Sequence, residues 1–160
     1  MGVMDQDLFA IIEKIANHYD KNICNQYIRP ELRNLTLPRG DWDMIDELTG
    51  MPEHRKQQGY MFRELYERIM ALARFIKLTK TDISPRLKSI FSGRVSTNQD
   101  DIYRTMAVNN LDANLGILSD MVHELYMKTV ELDKQSHSVK DPVYKRITEL
   151  SELGNLLSMN

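Results

Sequence analysis

Residues 108–134 read VNNLDANLGILSDMVHELYMKTVELDK, and this stretch decides the fold class. Val108, Leu111, Leu115, Leu118, Val122, Leu125 and Leu132 fall at alternating three- and four-residue steps, the heptad register of a helix packed along a seam. Only Thr129 interrupts it. A capping box of Ser96 with Gln99 predicts one helix from about Thr97 to Lys134. Ile117 and Met121 widen its apolar sector, so the helix should meet more than one neighbour, in its own chain or in a partner subunit. Gly116 lies off the seam; it lowers helix propensity by about 1 kcal/mol relative to Ala and allows a close helix approach.

The same period extends outward in both directions. Upstream, Leu8, Ile12, Ile15, Tyr19 and Ile23 predict a first helix over Asp5 to Arg29, stopped by Pro30. Pro52 stands where a second long helix can start, and Phe62, Leu65, Ile69, Leu72 and Ile76 supply its stripe. Two short connector helices are expected. Near 41–49, Asp41 opens a segment with Trp42, Ile45 and Leu48 on its inner face and Gly50 at its end, read as a connector or lid. Near 85–92, Ser84 caps Pro85, and Leu87, Ile90 and Phe91 precede a stop at Gly93. Downstream, a last helix starts near Asp141 and Pro142 and carries Val143, Ile147, Leu150 and Leu157 on one face, with Gly154 near its end.

No sustained alternation of period two competes with these helices. The reading is therefore all-α: four long helices in an up-down bundle with coiled-coil-like packing, as one domain over residues 1–160. Its core should contain Ile12, Ile15, Leu65, Ile69, Leu72, Leu115, Leu118, Val122, Leu125, Ile147 and Leu150.

Composition limits what such a bundle does. With 160 residues and 42% apolar content the chain can bury a core without disulfides or a structural metal. A formal net charge of −2 gives no global field for nucleic acid or an anionic membrane. Cys24, the one cysteine, excludes an internal disulfide and fits a reducing compartment. Met1 to Asp7 is acidic, unlike a signal peptide, and no apolar run reaches the roughly 18 residues of a membrane span. The expected setting is cytoplasmic and away from membranes.

Chemical motifs are scarce. The chain has no Gly-rich phosphate loop, nucleophile elbow or metalloprotease helix. Asp120 and His123, one turn apart on the heptad helix, form a His–carboxylate pair at helical spacing. They fall opposite the Leu118 and Val122 seam, so a metal there would need ligands from a second subunit. Cys24 lies near a helix C-terminus, which does not activate a thiol.

Charge is segregated. Residues 41–53 hold five acids and no base, whereas residues 74–94 hold six bases against Asp82 alone. In an up-down bundle these segments should lie at opposite ends, leaving a positive end around Arg86 and Lys88 and a negative edge around Trp42. Ten Met suit an adaptable surface; Met44 and Met51, beside Trp42, are the ones expected to be available to a partner. The function expected is a non-catalytic protein–protein interaction module of adaptor, chaperone-like or regulatory type, without a cofactor. It should self-associate through Ile117 and Met121. The alternatives are nucleic-acid binding through 74–94 and a metal-dependent bundle enzyme using Asp120 and His123.

Overall fold

The computed structural model describes residues 3–91, 98–136 and 143–158, with side chains throughout except over 143–149. Helix α1 (Gln6–His18) starts where the Asp5 carboxylate accepts from the Leu8 amide at 3.0 Å and runs into a π-helical turn, Tyr19–Ile23. Three short helices follow: α2 (Arg29–Arg33), α3 (Asp41–Thr49) and α4 (Glu53–Lys56). A second long run joins α5 (Phe62–Leu78), a π-helical turn (Thr79–Ile83) and α6 (Ser84–Phe91) into 30 continuous helical residues. Then come α7 (Gln99–Asn109), the 26-residue α8 (Leu111–Ser136) and α9 (Val143–Leu157). The fold is all-α, and the one β contact among the described residues is an isolated bridge between Val3 and Tyr60.

Helix α8 packs between α1 and α5, and α5 also carries α3 and α9 on its flanks. The seam read from sequence is the core: Leu111, Leu115, Leu118, Val122 and Leu125 are buried, facing Ile12 and Ile15 of α1 and Leu65, Ile69 and Leu72 of α5 in one cluster. Beyond Leu125 the seam shifts. Six turns of about 3.6 residues from Leu111 end between positions 132 and 133. Leu132 is accordingly only half-buried, and Asp133 beside it is buried, accepting a 2.7 Å hydrogen bond from the Tyr66 hydroxyl. Thr129 stays in the core because its hydroxyl donates to the Leu125 carbonyl at 2.7 Å.

Several boundaries differ from the sequence reading. The expected helix over 97–134 is two helices. Asn109 and Asn110 are weak helix formers, and Asn110 caps α7 by donating to the Met106 carbonyl at 3.0 Å. The expected Ser96 box lies outside the described residues, and Asn98 caps α7 instead, accepting from the Asp100 amide at 2.9 Å. The first helix ends at its π-turn, and Pro30 opens α2. Pro52 precedes only α4. The long helix waits until Phe62, because Gly59 turns through φ 73° and the chain then pairs Tyr60 with Val3.

Ser84 is no cap. The i→i+5 ring of the π-turn offsets the carbonyl ladder, so Pro85 follows without ending the helix. Segment 41–49 is not a lid either: Ile45 and Leu48 are fully buried, and α3 packs against α5 and α1. A Cβ on Gly116 would meet nothing within 4 Å, so no helix among the described residues approaches there. In α9, Leu150 is 42% exposed and Leu153 takes the buried place; the side chains of Val143 and Ile147 lie outside the described residues. Among the described residues, no helix is long and apolar enough to cross a membrane.

Candidate functional site

Helix α7 is the least buried of the longer helices with described side chains. Of its residues only Val108 is buried, while Ile102, Tyr103 and Met106 are 43%, 40% and 53% exposed. Ile102 and Met106 lie one turn apart and share a face. Helix α7 rests on α6, whose Ile90 is 48% exposed. Tyr103 leans on Tyr27 with ring centres 5.7 Å apart, and Arg104 donates to the Tyr27 carbonyl at 3.2 Å, which fixes α7 to the segment before α2. Four large apolar side chains thus stand in water on two neighbouring helices. The same two helices carry charges of both signs: Asp100 and Asp101 in the first turn of α7, and Arg86 and Lys88 on α6.

The residues singled out from sequence do not come together. Trp42 is half-buried, with its ring against Phe75 at 5.8 Å and under the Arg33 guanidinium at 4.5 Å, so it is a packing residue of α3. Met44 is half-buried at the edge of a cleft. Met51 is 69% exposed in the left-handed region, φ 44°, between Gly50 and Pro52. Ile117 is 46% exposed on α8, whereas Met121 packs against the core. Asp120 and His123 are exposed on the outer side of α8, as the seam geometry requires. Among the described residues, no group of three or more His, Cys, Asp or Glu is placed to hold a metal ion.

Cys24 is buried at the end of the first π-turn; burial first, and then the neighbouring Cys24, push the Tyr19 phenol well above its ordinary range, so it stays neutral. His18 is a clasp between helices. The Asn114 carbonyl can only accept, so Nε2 donates to it at 2.8 Å, which leaves Nδ1 to accept from the Asn22 amide at 3.0 Å.

The two charged segments are not kept apart. Arg74, on the basic side, makes a bidentate pair with the buried Asp41, on the acidic side, at 2.7 and 2.9 Å. The expected separation fails at Arg74, because α3 packs along α5 instead of capping an end of the bundle. Asp46 is met by Arg33 and Glu47 by Arg68. In the basic stretch, Arg86 pairs with Asp82, and Lys88 with Asp112, which also accepts from the Ser84 hydroxyl at 2.7 Å. Arg94 lies outside the described residues.

No known protein family, curated protein or solved structure matches the chain.

A cleft of about 270 Å³ lies between α3, α5, α8 and α9. Met44 and Met70 line it with the rings of Tyr66 and Tyr126, which are tilted at 57° with centres 5.8 Å apart. The hydroxyl of Tyr66 is held by Asp133, and Glu67, Glu152 and Arg74 complete the rim. Of its lining, the sequence singles out Met44 alone; the meeting of four helices has no local signature.

Proposed function

We propose that the protein is a non-catalytic helical interaction module that pairs with a second copy of itself through the outer side of α6 and α7. The observation that carries this reading is the exposed set Ile90, Ile102, Tyr103 and Met106, concentrated on a helix that buries only Val108. The choice of a second copy rests on charge. A patch with acids on one helix and bases on the next is self-complementary under a two-fold rotation, which brings Asp100 and Asp101 of each copy towards Arg86 and Lys88 of the other. The existing partners of Arg86 and Lys88 are exposed pairs, which are weak and readily exchanged.

The scaffold behind this face is read as an up-down bundle of four long helical runs, since short connections make successive helices antiparallel. A cytoplasmic, reducing setting suits the free, buried Cys24. The Ile117 edge of α8 is the competing self-contact.

Sedimentation velocity over a wide concentration range tests the proposal. The wild type is expected to dimerise. Ile102→Glu with Met106→Glu should make it monomeric with an unchanged circular dichroism spectrum, because each surface change shifts the stability of the monomer by no more than about 0.5 kcal/mol. Ile117→Glu should leave the dimer intact. A wild type that stays monomeric at every concentration, or a dimer that survives the double substitution, would reject the proposal.

A further inference from the structure

We infer that the cleft between α3, α5, α8 and α9 is a binding site for a small organic cation with an aromatic or aliphatic body. Size is the first argument: engineered cavities of about 150 Å³ accept benzene, and this cleft is about 270 Å³, room for a single ring and a short chain. Lining chemistry is the second. Met44 and Met70 supply polarisable, adaptable walls, and the half-buried ring of Tyr66 offers aromatic surface to an apolar body or a cation, backed by the buried ring of Tyr126.

The sign of the ligand's charge follows from the rim. Among the described residues, Arg74 is the one cation lining the cleft, and two hydrogen bonds commit it to the buried Asp41. Among the described residues Glu67 pairs with Arg63, whose side chain is 90% exposed, and Glu152 is exposed with its charge towards Arg74. Carboxylate therefore prevails at the mouth. An ammonium group there would meet Glu152 and Glu67 while its body lay between the methionines and tyrosines; a carboxylate ligand would be repelled at the same place. The site is independent of the α6 and α7 face, so the two proposals stand or fall separately.

The test titrates three probes of similar shape, 2-phenylethylammonium, ethylbenzene and 3-phenylpropanoate, into the full chain, followed by saturation-transfer NMR and by the fluorescence of Trp42, two residues before Met44. The ammonium probe should bind saturably, with a dissociation constant on the order of 1 mM or tighter for so small a ligand. The anionic probe should bind at least about tenfold more weakly. Glu152→Gln, an exposed change that leaves folding intact, should weaken the ammonium probe about fivefold and leave ethylbenzene unchanged. Met70→Trp, checked for an unchanged circular dichroism spectrum, should abolish binding by filling the cleft. No saturable binding of the ammonium probe up to about 10 mM would overturn the inference. Equal affinity for the anion, or indifference to Glu152→Gln, would overturn it as well.

Discussion

Helices α7 and α8 are separated by the single residue Asn110, and both contain apolar side chains, yet they are used in opposite ways. In α8 the apolar residues recur at three- and four-residue steps, and Leu111, Leu115, Leu118, Val122 and Leu125 are all buried. In α7, Ile102 and Met106 share a face that points to water, and Val108, on another side of the helix, is the buried one. Apolar content alone does not decide burial. What decides it is whether the apolar residues fall on the side that a neighbouring helix covers: the shorter α3 buries Ile45 and Leu48 against α5 and α1, whereas Ile102 and Met106 fall on the opposite side of α7 from its buried Val108.

The sharpest way to break this contrast is in α8. Leu118→Ala should destabilise the fold by about 2–5 kcal/mol, because Leu118 is fully buried and its neighbours can only partly fill the space left. A denaturant midpoint unchanged by this substitution would show that the seam is not the core. On the solvent side of the same helix the sign reverses. Gly116→Ala should stabilise by about 0.5–1 kcal/mol, read as a rise in thermal midpoint, since a Cβ there meets nothing and the alanine lowers the freedom of the unfolded chain.

The smallest effect is expected at the junction of the two helices, where Asp112 ties the start of α8 to α6. Burial works to raise its pKa, but donation from Lys88 and Ser84 outweighs it and holds the carboxyl below the usual aspartate range. A lowered folded pKa means that the contribution to stability is complete above the unfolded value of about 3.9 and is lost as pH falls through the folded one. The stability gap between wild type and Asp112→Asn should therefore be constant from neutral pH down to about 4 and close below it. A gap that widened on acidification would contradict the assigned pairing.

The α8 seam and the Ile12, Ile15, Leu65, Ile69 and Leu72 stripes were legible because a helical period records burial directly in residue spacing. Boundaries were less so. Ser84–Pro85 looks like a helix start in every local respect, and only the π-turn before it, an offset in backbone hydrogen bonding without a side-chain signature, carries the helix through. The pairing of Asp41 with Arg74 was hidden for a different reason: it joins residues far apart in the chain, and it depends on α3 lying along α5. The cleft drew on four helices at once. The exposed α7 face was masked by an apparently continuous heptad run, which the Asn109–Asn110 pair interrupts.

The two π-turns also bear on how this chain tolerates changes in length. A turn closed by i→i+5 bonds holds one more residue than the α-helix around it, so Thr79–Ile83 absorbs a residue while α6 keeps its phase relative to α5. Deleting one residue there would restore a regular helix and leave Leu87 and Phe91 in the core. Deleting one residue from the regular part of α5 would instead rotate everything beyond it by about 100° about the helix axis. The same deletion within the exposed connection around Met51 would leave every helix phase unchanged.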